Sequence, residues 1–369
     1  MQNIPTPCHI ISLDFLKQNI ERIKEFKQLS DCKILLAIKG FSAPYLFEPM
    51  KEVLDGISAS GLYEAQLGRQ CFRERYIQTY SPAFRTDQIK DVVANSNSIV
   101  FNSYNQLKAY GRIAKENGCD IGIRINPLVS EIEKDDVNPC REHSHLGIPI
   151  HQLTEDVWDN IDGIHIHCMC EQYVDAFENL INLVIQKFGR HLSKLKWVNL
   201  GGGQLIGKKN YDIERAASLI REFKNMFDID VIIEPCEGIL SDCGFFATKV
   251  LDIINNGIDI AVLDASPICH MPDAVFRGWR RDVIDESEVG YTYRLSGQTC
   301  FANDSFGNYT FNHPLDIGDI IYFKDTASYT WVKNNAFNGI PFPTICTYSI
   351  EQGLRIVKSY DYDVFYRIL

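Results

Sequence analysis

The sequence predicts an α/β fold in which a TIM (β/α)8 barrel is combined with a C-terminal all-β domain. Short apolar segments alternate with helical patterns eight times over about 200 residues, which is the repeat that a closed parallel barrel requires. After residue 240 the chain changes to short strands separated by glycine and asparagine turns. We therefore expect a barrel at residues 12–235 and a β domain made of residues 1–11 and 236–369.

The barrel strands are recognised by short runs of apolar and β-branched residues. The first, KILLAI, suits a strand that is covered on both faces. Helices with apolar residues at helical spacing are predicted between the strands, for example at 103–117, 172–188 and 213–227. The eight strands are predicted at 33–38, 56–59, 76–80, 98–102, 120–125, 162–167, 196–200 and 230–234.

The remaining segments predict the β domain. Its strands are expected in FFATKVLDI, DIAVLDA, GYTYRLSG, GNYTF, GDIIYF and RIVKSYDYDVFYRIL. The opening segment PCHIIS is expected to join them, and a helix from about Ser12 is expected to lead into the barrel.

Composition limits the classes of function. The 369 residues are 45% hydrophobic, which is enough for a large core and, as a prior, two domains. The formal charge is −11 and no basic stripe is present, so a nucleic-acid partner is disfavoured and a cationic ligand is favoured. The longest apolar runs are only strand-sized and MQNIPTPCHII lacks a signal-peptide pattern, which predicts a cytoplasmic protein without membrane contact.

The twelve cysteines show no paired C-x-x-C spacing and are interpreted as free thiols of a reducing compartment. Cys168 and Cys170 lie near His165 and His167, which superficially suggests a metal site. A second ligand pair at zinc-site spacing is missing, so we predict no metal.

Polar residues stand where predicted barrel strands end, and chemistry in TIM barrels collects at the C-terminal strand ends. We therefore expect a shared site at one rim. It contains Lys39 after the first strand, Arg124 in the fifth, His167 at the sixth, Gly201–Gly203 after the seventh and Glu234 at the eighth.

These residue types suit one cofactor. Three consecutive glycines let backbone N–H groups approach an anion, whereas a tight turn would need only one glycine. A lysine beside a phosphate site is the arrangement expected for pyridoxal phosphate held as a Schiff base. Glu234 could keep the pyridine nitrogen protonated or form a structural ion pair with Arg124. His167 could stack on the cofactor ring or be an ordinary core histidine.

The motifs resemble those of the fold-type III, alanine-racemase-like pyridoxal phosphate decarboxylases of basic amino acids, which include ornithine and diaminopimelate decarboxylases. Tyr329 stands eight residues before Phe337-Asn338-Gly339, as does the family's phosphate-contacting tyrosine. The resemblance implies a homodimer whose active sites are shared between subunits. Its motifs are AIKG, GIRINP, HIHCMCEQ, NLGGGQ, EPCEG, LDAS, GQTCFAND and SYTWVKNNAFNG.

Within this family, HIHCMCEQ, CHMPD and NAFNGIPFPTI look like the branch that acts on carboxylated polyamines. The resemblance implies decarboxylation of carboxynorspermidine or carboxyspermidine, which gives norspermidine or spermidine and carbon dioxide. The expected partner is thus a small cationic substrate.

The resemblance also implies roles for individual residues. Lys39 would bind the cofactor covalently, and His167 would stack on it. Glu234 would pair with the ring nitrogen, and Cys300 would donate a proton to the carbon that loses its carboxyl group. The phosphate would be held by Gly202, Gly203 and Tyr329, with Arg124 as a further cofactor contact.

Substrate contacts are expected from acidic residues. The family's E-P-G-R motif carries an arginine near the phosphate, but this chain has Cys236 and Glu237 at its last two positions. An acidic residue there suits a long substrate with extra ammonium groups. Phe301 replaces an acidic residue that other members use, which argues against ornithine or diaminopimelate. The predicted substrate-binding set is Glu237, Asp264, His270, Asp273 and Asp304.

Other functions stay open at this point. An amino-acid racemase shares the fold but favours arginine at the ring nitrogen, where this chain has Glu234. A non-catalytic regulatory homologue would be expected to lose Lys39 or Cys300, and both are present. A Schiff-base aldolase would not need the three glycines or the β domain. A diaminopimelate or ornithine decarboxylase is the alternative within the family.

Overall fold

A computed structural model describes residues 4–369, which form two units. One unit is Asn19–Ile239, called the barrel unit here. The other, the sheet unit, combines the residues up to Gln18 with Leu240–Leu369. The chain enters through strand β1 (Cys8–Ser12) of the sheet unit and continues into helix α1 (Leu13–Ser30).

The barrel unit contains a ring of eight parallel strands. The ring closes because β2 pairs with the last strand, β10, and the fourth strand of the ring, β5, pairs with β6. All eight predicted strands are confirmed, and β7 is a short addition beside β6. The strands are β2 (Lys33–Ala37), β3 (Gly56–Ala59), β4 (Tyr76–Tyr80), β5 (Ser98–Phe101), β6 (Asp120–Asn126), β7 (Ile148–Pro149), β8 (Gly163–His165), β9 (Trp197–Asn199) and β10 (Asp230–Ile233).

The helices of the barrel unit follow the predicted apolar periodicity. In the longest of them, α6, the buried Phe177, Leu180, Ile181 and Val184 share one face. The Ser103 and Asp212 side chains cap α5 and α7 by accepting from backbone N–H groups. The helices are α2 (Phe47–Met50), α3 (Leu62–Phe72), α4 (Ile89–Ala94), α5 (Tyr104–Glu116), α6 (Val174–Leu192), α7 (Ile213–Phe227) and α8 (Glu237–Leu240), of which the last residue belongs to the sheet unit.

Trp197 is packed inside the barrel against strand glycines. A Cβ atom on Gly163 would lie 2.2 Å from its indole, and one on Gly122 would lie 2.4 Å away. The buried Leu35, Val100 and Ile232 complete this cluster. The interior is therefore a packed core, and the polar residues at the strand ends stand on a rigid base.

The sheet unit is built around β1, which lies between β11 and β16, so the predicted membership of PCHIIS is confirmed. Its core contains buried aromatic side chains such as Phe246, Phe306, Tyr309 and Phe323. The other elements are β11 (Gly244–Asn255), β12 (Asp259–Leu263), α9 (Pro267–His270), α10 (Pro272–Phe276), β13 (Glu286–Ser296), β14 (Ser305–Phe311), β15 (Ile320–Lys324), β16 (Thr344–Ser349), β17 (Gly353–Lys358) and α11 (Tyr362–Arg367).

The prediction that RIVKSYDYDVFYRIL is strand throughout is wrong in its second half. Only the first part belongs to β17, and residues Tyr362–Arg367 form α11. The physical reason is local, because the Asp361 side chain accepts from the N–H of Val364 and caps a helix.

Among residues 4–369, no helix is long and apolar enough to cross a membrane. All twelve cysteines are free thiols. Within the same residues, no group of three or more histidine, cysteine or acidic side chains has the geometry to hold a metal ion.

Candidate active site

The structure brings the predicted rim residues of the barrel unit together. The backbone N–H of Gly202 donates to Nδ1 of His167 at 3.2 Å. The N–H of Glu234 donates to the carbonyl of Gly201 at 2.9 Å. Burial lowers the pKa of His167, and Lys39 and Arg124 lie close enough to lower it further. The strand ends therefore form one site, as the barrel topology predicts.

Lys39 follows β2 and makes no hydrogen bond or ion pair with any residue in the described range 4–369. Desolvation by the surrounding barrel lowers the pKa of its ammonium group, and Arg124 lowers it further. The negative charges of Glu234 and Glu64 raise the pKa of Lys39 and so oppose this effect. An amine with a lowered pKa is more often unprotonated and therefore a better nucleophile toward an aldehyde.

Each of the three glycines after β9 is required by close packing. A Cβ atom on Gly201 would lie 2.7 Å from Nδ1 of His167, and one on Gly202 would lie 2.4 Å from the Glu234 carbonyl oxygen. Gly203 has a φ of +103° and lies against the backbone of Met169. Three glycines rather than one are therefore needed because three chain segments meet at this loop.

The loop leaves one amide without a partner. The N–H of Gly201 donates to Asn199 and that of Gly202 donates to His167. The N–H of Gly203 donates to no residue within 4–369. A free amide in the loop that follows a barrel strand is a donor suited to an anion such as a phosphate group.

His167 is held in a single neutral form. Its Nδ1 accepts the Gly202 N–H, so the proton of the neutral ring is on Nε2. Desolvation, followed by the charges of Lys39 and Arg124, moves its pKa well below the ordinary value for histidine. His167 is half-buried, whereas His165 is buried and neither of its ring nitrogens has a partner among the described residues.

Glu234 is a buried carboxylate at the end of β10. Its Oε1 accepts from Nδ2 of Asn199 at 2.6 Å. The alternative of an ion pair with Arg124 is wrong, because no contact of 4.0 Å or less joins the two groups and the guanidinium lies 4.8 Å from the ring centre of Tyr80. The second carboxylate oxygen of Glu234 accepts from no residue in 4–369.

Three residues of this site were missed in the sequence. Asn199 and Gln78 are buried polar side chains inside the barrel, and Asn199 donates to both Glu234 and Gln78. Glu64 lies in the first turn of α3, where its Oε2 accepts the N–H of Ser60 at 2.7 Å. The available signal was a polar residue in an otherwise apolar strand, as for Asn199, which stands two positions before the three glycines.

The sheet unit carries Cys300 in an exposed position. Its N–H donates to Oδ1 of Asn338 at 2.7 Å, and Asn338 has a left-handed φ of +58°. Tyr329 has a φ of +56°, which is unusual for an aromatic residue, and Lys333 lies 5.3 Å from its ring centre. Strained backbone of this kind is concentrated at functional sites.

Asp304 and His270 are enclosed within the sheet unit. The Asp304 carboxylate accepts from the hydroxyl groups of Ser266 at 2.7 Å and Thr299 at 2.6 Å, and also from the Thr299 and Ile268 N–H groups. His270 is fully buried, accepts from Ser266 and contacts the Pro341 carbonyl. Burial lowers its pKa to about 4. Asp304 thus fixes the loop that carries Cys300, and direct contact of Asp304 or His270 with a substrate stays a prediction.

The other predicted substrate contacts differ in their surroundings. Asp264 accepts from Thr248 at 2.7 Å and from the Lys249 N–H at 2.8 Å. Asp273 pairs with Lys333 at 2.6 Å and with Arg277 at 3.3 Å. Glu237 is half-buried in the first turn of α8, in the barrel unit.

The barrel-unit residues fit pyridoxal phosphate. Lys39 provides an unpaired amine for the aldehyde, and Gly203 provides a free N–H for the phosphate. The open oxygen of Glu234 suits the pyridine nitrogen, and the neutral ring of His167 suits the cofactor face.

Comparison with known proteins identifies the family of this chain. The family model for "Pyridoxal-dependent decarboxylase, C-terminal sheet domain" matches residues 36–327. Carboxynorspermidine/carboxyspermidine decarboxylase of Campylobacter jejuni is 35% identical over 98% of this chain and 97% of that protein. Carboxyaminopropylagmatine decarboxylase of Synechocystis is 33% identical over 98% of this chain and 95% of that protein.

A solved structure of a decarboxylase is also similar to this chain. The crystal structure of carboxynorspermidine decarboxylase from Campylobacter jejuni, complexed with norspermidine, matches with a TM-score of 0.90. The match has 33% sequence identity and covers 99% of this chain and 100% of that chain. The family model and these relatives together show that the chain belongs to the pyridoxal-dependent decarboxylases that carry a C-terminal sheet domain.

Proposed function

We propose that this enzyme decarboxylates carboxynorspermidine, carboxyspermidine or both, and thereby forms norspermidine or spermidine in polyamine biosynthesis. The observation that carries the proposal is the similarity to the Campylobacter jejuni enzyme along nearly the full length of both chains. The formal charge of −11 is consistent with a cationic substrate.

The cofactor is held by the residues that the sequence analysis nominated. Lys39 would bind it covalently, His167 would pack on its face and Glu234 would hold a proton at its ring nitrogen. Gly203, with Tyr329 and Arg124, would hold the phosphate end, whereas the N–H of Gly202 is donated to His167. When bound, the cofactor withdraws the electron pair that a departing carboxyl group leaves behind.

Residues of the protein then supply a proton and stabilise the charge that develops during the reaction. The bond from the substrate carbon to its carboxyl group breaks, carbon dioxide leaves, and the electron pair stays with the carbon. The thiol of Cys300 donates its proton to that carbon. A preorganised charge such as Glu234 stabilises the transition state without reorganisation, and such interactions are commonly worth several kcal/mol.

The distal ammonium groups of the substrate are bound by acidic side chains. Glu237 is the principal contact in this proposal, because it replaces the arginine of the family motif. Asp264, Asp273 and Asp304, with His270, complete the set. Asp273 already pairs with Lys333 and Arg277, so an arriving ammonium group would compete with them.

The enzyme works as a homodimer whose subunits share their active sites. Cys300 is exposed on its own unit, and the neighbouring Phe301 and Phe337 are exposed as well, which suits a surface covered by a second copy. Mixing the inactive Lys39→Ala and Cys300→Ala enzymes tests this, because shared sites predict that activity returns on mixing. Two inactive pools that stay inactive after subunit exchange would contradict it. The twelve free thiols are consistent with work in the cytoplasm.

Carboxyaminopropylagmatine is a second candidate substrate, favoured by the similarity to the Synechocystis enzyme. Its agmatine part ends in a guanidinium group, whereas the carboxylated polyamines end in an ammonium group. Planar guanidinium prefers a two-point contact with a carboxylate, so the geometry around Glu237 would decide between them.

Release of carbon dioxide tests the proposal. The purified holoenzyme is compared with carboxynorspermidine, carboxyspermidine, carboxyaminopropylagmatine, diaminopimelate and ornithine at equal concentrations. We expect the highest kcat/KM for one of the first two. A preference for carboxyaminopropylagmatine would select the second candidate, and a preference for diaminopimelate or ornithine would overturn the assignment of substrate.

A further inference from the structure

Asn199 joins two parts of the candidate active site. It is the last residue of β9 and is fully buried. Its Oδ1 accepts the N–H of Gly201 at 2.8 Å. Its Nδ2 donates to Oε1 of Glu234 at 2.6 Å and to Oε1 of Gln78. One amide therefore fixes both the start of the glycine loop and the carboxylate at the end of β10.

The orientation of this amide follows from its partners. A backbone N–H can only donate, so the group that faces Gly201 must be the oxygen of Asn199. The nitrogen of Asn199 consequently faces Glu234. Gln78 continues the chain, since its Nε2 donates to the hydroxyl of Ser98 at 2.9 Å. Gln78 and Ser98 are buried in β4 and β5, so the chain is anchored inside the barrel.

Donation from Asn199 has two effects on Glu234. A hydrogen bond to the charged form of a carboxylate favours that form. The contact also occupies Oε1, and Oε2 is left for another partner.

Resting on the proposed function, we propose that Asn199 is a positioning residue for decarboxylation. It holds the Glu234 carboxylate turned so that one oxygen faces the cofactor nitrogen, and Gln78 with Ser98 holds Asn199 in place.

Other charges around Glu234 do not supply this control. Lys39 and Glu234 lie close enough to interact, since Glu234 opposes the lowering of the Lys39 pKa that desolvation causes. In the holoenzyme Lys39 is engaged by the cofactor. Burial raises the pKa of Tyr80 and Cys236 and lowers that of His167, so these groups stay neutral between about pH 6 and pH 9.

The variant Asn199→Asp keeps one hydrogen bond of Asn199 and changes the other. The two side chains have the same shape, so the bond from Gly201 is kept while the donor to Glu234 is replaced by a carboxyl group. When that new carboxyl is protonated, its O–H can donate to Glu234 in place of the amide. When it is ionised, it repels Glu234. Burial and the adjacent carboxylate both raise the pKa of the introduced carboxyl group.

The variant should therefore lose activity as the pH rises. We expect kcat to be about tenfold below the native value near pH 9 and to recover most of that loss near pH 6. The KM should change by less than about threefold, because the substrate contacts are untouched. A purely structural defect would instead lower kcat by the same factor at both pH values.

Asn126→Asp is the matched control. Asn126 is the last residue of β6, is buried, and accepts the N–H of Leu128 at 2.9 Å, the same two-residue contact that Asn199 makes with Gly201. Among residues 4–369, Asn126 donates to no carboxylate. The control should not acquire the pH-dependent loss.

Two measurements are made on each holoenzyme, the kcat and KM for decarboxylation and the absorbance of the bound cofactor during a pH titration without substrate. In Asn199→Asp the absorbance should change at the pH at which kcat falls, and it should not do so in the native or control enzyme. Native-like activity and absorbance at every pH, or an equal loss at every pH, would overturn the proposal.

The absorbance titration also distinguishes two failures. If the native enzyme releases no carbon dioxide from the polyamine acids, the proposed function fails, and the absorbance titration still decides the role of Asn199.

If Asn199→Asp does not fold, a second variant is available, because Gln78→Met removes the acceptor that anchors Asn199. That variant should lower kcat with little change in KM, and a native kcat and absorbance would overturn the proposal.

Discussion

Gly201 lies so close to His167 that a single added methyl group would overlap the imidazole. A Cβ atom built on the glycine would be 2.7 Å from both Cβ and Nδ1 of His167, at a left-handed φ of +69°. The position of the glycine loop and the position of the histidine are therefore set together.

Gly201→Ala should disrupt this contact. We expect it to lower the free energy of unfolding by more than about 3 kcal/mol and to weaken cofactor binding, because both backbone strain and overlap act. Gly118→Ala is the control, since Gly118 has a similar φ of +75° but nothing within 4 Å of an added Cβ. It should cost only about 1 kcal/mol of strain. Chemical denaturation of both variants measures the difference, and equal costs would contradict it.

Lys39→Ala should abolish the absorbance band of the covalently bound cofactor. The amine is the only group proposed to attach to the aldehyde, and its lowered pKa favours attachment. Spectra of the purified variant, incubated with added pyridoxal phosphate, make the measurement. If the native band persists, another residue has the role.

Glu234→Gln should retain the cofactor and lose turnover. An amide at this position can hydrogen-bond but cannot balance a protonated ring nitrogen, so kcat should fall by at least about a hundredfold. Glu214→Gln, the same change on an exposed carboxylate in the first turn of α7, is the control. Near-native turnover of Glu234→Gln would refute the charge argument.

Glu237→Arg should weaken binding of the carboxylated polyamines. Reversing a charge beside a cationic substrate should raise KM by at least about tenfold, and Glu237→Gln should produce a smaller rise. Steady-state kinetics at two salt concentrations tests the cause, because an electrostatic effect is reduced by screening. An unchanged KM in both variants would remove Glu237 from the substrate contacts.

His9 should make the protein sensitive to acid. It is buried next to Phe246, and neither ring nitrogen has a partner among the described residues. Burial lowers its pKa to about 3. The unfolded chain binds the proton near pH 6.5, so the free energy of unfolding should decrease by up to about 1.4 kcal/mol for each pH unit below that value.

His9→Phe removes this titration. Its free energy of unfolding should fall less steeply than that of the native protein between about pH 6 and pH 4. Part of the slope should remain, because burial also lowers the pKa of His270, to about 4. Denaturation curves at several pH values provide the measurement, and an unchanged slope would show that His9 does not contribute.

The barrel could be predicted because each of its strands and helices has a recognisable pattern within a short stretch of sequence. Each strand is a short apolar run, and each helix repeats apolar residues at its own spacing, so all eight strands of the ring and helices such as α7 were found. The strand-end rule then located Lys39, His167 and Glu234 without any contact information. The helix α11 was missed because aromatic residues and a β-branched valine favour strands in a short segment, and the Asp361 cap decided otherwise.

Contacts between distant polar residues could not be predicted in the same way. Asn199 and Gln78 are 121 positions apart, and only ring closure brings their side chains together. The buried environment of Asp304 depends on four groups in two other segments. In the sequence such residues look like any polar residue near a motif, because the residue types alone do not show which donor will bind which acceptor.

Strand β1 has a consequence for synthesis of the protein. Residues Cys8–Ser12 pair with Gly244–Ala247 on one side and with Thr344–Tyr348 on the other, so both neighbours are made more than 200 positions later. Barrel strands, by contrast, mostly pair with the next strand along the chain. During synthesis, barrel strands can therefore pair one after another, whereas β1 can complete its pairing only when nearly the entire chain has been made. A chain terminated before residue 344 would leave one edge of β1 unpaired and prone to aggregation.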